Sequence, residues 1–138
     1  MTINVSPSLV FNGQAREAFE FYRSVFGGEL SLNEFGPMGQ EAGFPPDAIM
    51  HAQLVTAAGW SLMGDDSTKP GDEVVRGGST IMVWGDDQAT LEQQFAKLAD
   101  GGTVGTQLEK QFWGDTYGDL TDKYGIGWGF NIGPARNA

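Results

Sequence analysis

Two stretches decide the fold: Gln14–Gly28, QAREAFEFYRSVFGG, and Gln88–Gly102, QATLEQQFAKLADGG. Both open on Gln-Ala and close on Gly-Gly. In the first, Ala15, Ala18, Tyr22, Val25 and Phe26 recur at helical spacing, with Arg16, Glu17, Glu20 and Arg23 on the opposite side. That pattern predicts an amphipathic helix stopped by the glycine pair. In the second, Leu91, Phe95 and Leu98 form the apolar stripe, and Asp86 or Asp87 stands where a carboxylate caps the first turn. A shift of 74 residues lays Gln14-Ala15 on Gln88-Ala89, Phe21 on Phe95, Arg23 on Lys97 and one glycine pair on the other.

The flanks repeat as well. INVSPSLVF, residues 3–11, precedes the first helix as an apolar strand, and STIMVWG, residues 79–85, precedes the second. After the first helix come three strand-like segments, ELSLNEF, IMHAQLVT and WSLMGD; after the second come TVGTQLEKQF, GDTYGDLTD and GWGFNIG. The last strand of each half opens with Gly-Trp, at Gly59-Trp60 and Gly127-Trp128. The chain therefore reads as one domain, 1–138, holding a βαβββ module at 1–66 and a second at 79–135. Each helix covers one face of its four strands and leaves the other bare. Two modules side by side give an α+β fold: an eight-stranded curved mixed sheet with the helices outside. Its concave trough is a natural place for a small molecule.

Composition narrows the function. The chain has no cysteine, which removes disulfides, thiolate metal sites and thiol nucleophiles. Formal net charge is −10, and the eight Lys and Arg form no stripe, so nucleic acid and anionic membranes are not expected partners. No run approaches the ~20 apolar residues of a membrane span, and no basic leader precedes the first strand, so a cytoplasmic protein is expected. The 21 glycines point to many tight turns. Phe35–Ala48 reads as one long loop, with Pro45-Pro46 barring helix, placed to act as a lid.

Three stretches carry a family resemblance: PSLVFNGQAREAFEFYRSVFGGEL, IMHAQL and FWGDTYGDLTDKYGIGW. Together they resemble the vicinal oxygen chelate superfamily of glyoxalase, bleomycin-resistance and dioxygenase proteins, and within it the PhnB-like branch. The resemblance implies the trough fold, a homodimer and, in metal-dependent members, His, Gln or Glu ligands on the first and last strands of each half. Here those strands, at residues 5–11, 60–64, 79–85 and 127–133, hold no His, Asp or Glu; Asn131 is the nearest substitute. Neither a metal nor another cofactor is therefore expected.

The remaining candidates are ligand-binding. His51, the lone histidine, shares a strand face with Gln53 and is the candidate acid–base group. Trp60 and Met63 on the fourth strand, and Trp113, Tyr117 and Trp128 around the last hairpin, complete the set. The hairpin aromatics are expected to point into the trough, with Asp115, Asp119 and Asp122 at turns and Phe130 in the core. Met50, Met63 and Met82 are expected as core filler. The function expected is binding of a small aromatic or cationic molecule without a metal and without turnover. The alternative is a metal-free or atypical-metal lyase or isomerase.

Overall fold

The computed structural model describes residues 2–68 and 72–134. The chain divides into two compact units, Met1–Val75 and Arg76–Ala138, and each holds one of the expected modules. Residues 1 and 135, the outer limits of those modules, lie outside the described residues.

Unit one runs β1 (Ser8–Val10), α1 (Ala15–Phe26), β2 (Glu29–Glu34), a 3-10 helix (Gly36–Ala42), β3 (Ile49–Val55) and β4 (Ser61–Asp65). Unit two runs β5 (Ile81–Gly85), α2 (Gln88–Ala99), β6 (Thr103–Lys110), β7 (Thr116–Thr121) and β8 (Gly127–Ile132). The strands pair as two four-stranded sheets, β1-β4-β3-β2 and β5-β8-β7-β6, rather than as one eight-stranded sheet. In each, the strand before the helix runs parallel to the last strand and the other pairs are antiparallel. The α+β class and both βαβββ modules match the sequence reading. No helix among the described residues is long and apolar enough to cross a membrane.

Helix packing explains the pattern. Ala15, Ala18, Phe19, Tyr22, Val25 and Phe26 of α1 are buried, as are Ala52, Leu54 and Leu62 of the sheet. Gly64 is glycine because a Cβ there would stand 2.6 Å from the Phe19 ring. In α2 only Leu91, Phe95 and Leu98 are buried, with Phe95 edge-on to Phe130 at 5.5 Å. The glycine pairs do more than stop helices. A Cβ on Gly28 would lie 1.9 Å from the Val55 carbonyl oxygen, and one on Gly102 would lie 2.3 Å from that of Thr121. The chain leaving each helix thus grazes the end of the third strand, and only glycine fits.

The two helices are capped differently. Asp87 caps α2 locally, accepting from the Thr90 backbone N–H at 3.2 Å and hydroxyl at 2.9 Å. Gln14 gives α1 no side-chain cap. Asp66, at the end of β4, does that work from a distance: Oδ1 accepts Gly13 N–H at 2.8 Å and Ala15 N–H at 3.0 Å, and Oδ2 accepts Ile49 N–H at 2.9 Å. Asp66 is almost fully buried, a fastener of three segments.

Other expectations need correcting. β1 is far shorter than residues 3–11, and Ile3 and Val5 are exposed. The loop 35–48 contains the 3-10 helix and is pinned by the stacked Phe35 and Phe44 rings, 4.4 Å apart. Alternation along β3 breaks at a bulge, so Ile49 is buried while Met50 is exposed. Met50 and Met82 are not core, since both are more than two-fifths exposed. The Gly-Trp match is one of spelling only. The turns that correspond are Thr56–Trp60 and Asp122–Ile126: in each, the first backbone N–H donates to the last carbonyl at 2.8 Å, and a glycine N–H returns to the first carbonyl at 2.9 Å. Trp60 therefore corresponds to Ile126, and Trp128 to Leu62, each of the latter pair lying opposite a leucine of the preceding strand. The buried helix stripe likewise aligns Ala18, Tyr22 and Val25 with Leu91, Phe95 and Leu98, one residue off the sequence match.

Removing the Asp66 carboxylate leaves three N–H groups, two of them buried, without their acceptor. Asp66→Ala is expected to lower unfolding free energy by about 3 kcal/mol or more. Asp65→Ala, at a half-exposed neighbour, should change it by less than about 0.5 kcal/mol. Urea denaturation of the two variants checks this; equal losses would refute the fastening role.

Candidate functional site

One helix covers one face of each sheet, and strand parity assigns every side chain to the helix face or the bare face. On the bare face of unit one, the register aligns Ser8, Met63, Gln53 and Ser31 in a row across all four strands. Val10 pairs with Asp65 and His51 with Asn33 in the neighbouring row. His51, Gln53 and Met63 are thus brought onto one face, each partly exposed.

The bare face of unit two repeats this register with different residues. Met82, Gly129, Asp119 and Thr106 form one row, and Trp84, Asn131, Tyr117 and Glu109 the next. His51 of unit one therefore corresponds to Tyr117, Gln53 to Asp119, and Asp65 to Asn131. The second row is held by side-chain bonds. Tyr117 Oη donates to Asp119 Oδ2 at 3.0 Å, and Asp119 Oδ1 accepts the Thr106 N–H at 2.8 Å. Asn131 Nδ2 donates to Asp115 Oδ2 at 3.0 Å. That bond fixes the amide's orientation. Trp113, half exposed, lies 6.2 Å from the Tyr117 ring, with Phe112 packed edge-on against it at 5.0 Å.

Burial raises the Tyr117 pKa, and the hydrogen bond to Asp119 and that group's negative charge raise it further. The phenol is thus kept protonated well above neutrality and serves as a hydrogen-bond donor, not a phenolate.

Trp60 and Trp128 are not on these faces. Trp60 packs edge-on against Phe26 of α1 at 4.9 Å. Trp128 is fully buried, and its Nε1–H donates to Asp122 Oδ2 at 2.9 Å. Tyr117 pairs with Asn131 while Leu120 pairs with Trp128, so Tyr117 and Trp128 point to opposite sides of one sheet. The hairpin aromatics do not all face the same way. Asp122 does cap its turn, accepting from Tyr124 and Ile126, but Asp119 lies within β7 rather than at a turn.

Sequence reading missed Trp84, the most exposed aromatic ring within a strand at 67%. In IMVWG every residue before the glycine is apolar, so alternation had no polar contrast to mark the bare side. Asp119 and Asn131 were missed as partners because their roles depend on cross-strand register. Among the described residues no three His, Asp or Glu side chains gather closely enough to hold a metal ion.

Comparison with known proteins finds a match over residues 3–130 to the family model described as 3-demethylubiquinone-9 3-methyltransferase. The protein PA1353 from Pseudomonas aeruginosa is similar at 34% identity and a TM-score of 0.77, over 95% of this chain and 98% of its own. The PhnB protein from Bacillus cereus is similar at 25% identity and a TM-score of 0.78, over 95% of this chain and 100% of its own. The fold alone is shared with a glyoxylase/bleomycin resistance protein/dioxygenase domain from Frankia sp. EAN1pec, at 15% identity and a TM-score of 0.63 over 97% and 99% of the two chains.

Asp119→Asn removes the charge that adds to burial in raising the Tyr117 pKa, so the tyrosine should ionise at lower pH than in the parent protein. The sign follows from the raised pKa. Tyr117's contribution to stability is complete below the unfolded tyrosine pKa of about 10 and is lost as pH rises through the higher folded value. Tyrosinate absorbance during alkaline titration measures it; an unmoved transition in Asp119→Asn would refute the coupling.

Proposed function

We infer the function of this chain from where it belongs: it belongs to the PhnB-like family described as 3-demethylubiquinone-9 3-methyltransferase, within the vicinal oxygen chelate superfamily. The reading best supported is binding of a small organic molecule, aromatic or cationic, without the superfamily's usual metal.

The row Trp84–Asn131–Tyr117 carries this reading. Strands stand about 4.8 Å apart, so the two ring-bearing strands are separated by about 10 Å with the Asn131 strand between them. A planar ring seated over Asn131 finds an aromatic side chain on either flank and an amide acceptor beneath it. Asp115 and Asp119 add negative charge beside the row. His51, Gln53 and Met63 line the corresponding face of unit one and belong to the same reading.

A divalent metal has little to bind on these strands. The bare faces of β1, β4, β5 and β8 offer Asp65 as their one carboxylate, and its Oδ1 already accepts the Ser67 N–H at 3.0 Å. No step is routed through a metal. The methyltransferase in the family's description is not carried to this chain either: neither strand-to-helix junction, Asn12-Gly13 or Asp86-Asp87, is a glycine-rich loop of the kind that cradles a nucleotide. A homodimer in the cytoplasm completes the proposal. A second reading, a metal-free lyase or isomerase, rests on the protonated Tyr117 hydroxyl as an acid beside Asp119.

Thermal-shift screening of planar aromatic amines, with and without chelator, tests the proposal. Stabilisation is expected to be indifferent to chelator, and Trp84→Ala should weaken binding about tenfold, the loss of a stacking contact of roughly 1.4 kcal/mol. Binding abolished by chelator would overturn the metal-free reading. Turnover that disappears in Tyr117→Phe while binding persists would favour the enzyme.

A further inference from the structure

The two modules differ most beneath the first turns of their helices. In unit one that space is filled. Phe11 and Phe19 are both fully buried and meet edge-on at 6.2 Å, and the Asp66 carboxylate lies beside them under Ala15. Register identifies their counterparts in unit two. Val10 pairs with Asp65 as Trp84 pairs with Asn131, so Phe11 corresponds to Gly85 and Asp66 to Ile132. Ala15 and Phe19 are the first and fifth residues of α1, as Gln88 and Glu92 are of α2. Two phenyl rings and a buried carboxylate have given way to glycine, glutamate and isoleucine.

Leu91 takes part of the vacated room, since its Cδ1 lies 3.8 Å from where a Gly85 Cβ would sit. Beside it, around Gln88, Glu92 and Ile132, a cavity of about 530 Å³ opens to solvent, lined wholly by residues of unit two. That size is typical of small-molecule pockets. Gln88, Glu92 and Ile132 face Leu108 and Thr116 across it. Thr116 and Ile132 pair with each other, one residue out of phase with Tyr117 and Asn131, so these two line the cavity from the helix side of the sheet, while Glu109 of the bare-face row also lines it.

The lining sets the ligand's chemistry. Leu108 and Ile132 offer an apolar wall for the body that the missing rings would have supplied. Glu92, Asp86 and Glu109 bring three carboxylates against a single ammonium, Lys110. Glu92 accepts one bond from Gln88 Nε2 at 2.9 Å, and a carboxylate takes several. No three acidic or histidine side chains here converge on a metal ion. The occupant that matches both wall and charge is organic. We propose that this cavity binds a small organic cation: an apolar body about the size of one aromatic ring against Leu108 and Ile132, with its ammonium on Glu92. The site meets the bare-face row only at Glu109.

Titration of the isotope-labelled full chain with 2-phenylethylamine at neutral pH, followed by backbone amide NMR, tests this. Saturable shifts are expected at Leu108, Thr116 and Ile132, with Trp84 and Tyr117 unmoved. Glu92→Gln keeps the shape and should weaken binding tenfold or more. Glu92→Phe restores the ring of unit one and should abolish the shifts while raising Tm; should it fail to fold, the glutamine variant still decides. No saturable shift at the three lining residues would overturn the proposal. So would equal binding of the neutral 2-phenylethanol, or unchanged affinity in Glu92→Gln.

Discussion

Each four-stranded sheet in this protein is given one helix, and a single helix covers a single face. Strand geometry then leaves no freedom about where a side chain goes: adjacent residues part company, and cross-strand register decides which of them meet. The buried residues Ala52, Leu54 and Leu62 in one unit, and Leu120, Trp128 and Phe130 in the other, are on the covered side. His51, Gln53, Met63, Trp84, Tyr117 and Asn131 are on the other for the same reason. The bare face is a necessary product of the module rather than an addition to it, and the functional reading follows from what each module displays there.

The two modules share a frame and differ in their fittings. The close passage from helix to second strand recurs, with Gly28 and Gly102 against the carbonyls of Val55 and Thr121. The turn between the last two strands recurs, with Thr56 and Asp122 buried in the same role. The helix starts do not recur. Unit one fastens its helix with a carboxylate at the end of the neighbouring strand, remote in sequence, whereas unit two uses the residue next to the helix. A long-range fastener ties secondary structure to tertiary closure, because the helix start is capped only when β4 has arrived. The local cap of α2 forms without the sheet, and the space beneath that helix is released from a structural duty.

The bare faces differ in character. Unit one displays mostly polar side chains. Unit two displays two large rings around an oriented amide, with a hydrogen-bonded phenol whose proton is held by its acidic neighbour. Exposed rings on a sheet cost solvation and give nothing to the core.

The sequence by itself determined the helices, the order of strands and the repeat. These rest on local periodicity and on glycine punctuation, which a chain carries whatever its neighbours are. It also placed His51 and Gln53 on one side of their strand, which Met63 joins only through the register. Tertiary structure alone decided the rest. Trp60 and Trp128 looked like equivalents by spelling, yet the turn geometry pairs them with Ile126 and Leu62, and register buries Trp128 over Asp122. Asp66 gave no sign of its reach to Gly13, 53 residues away. Trp84 was hidden in an apolar run with no contrast to mark its face. Each of these depends on which strand lies beside which, and by how many residues they are offset, and that offset is fixed only when the sheet closes.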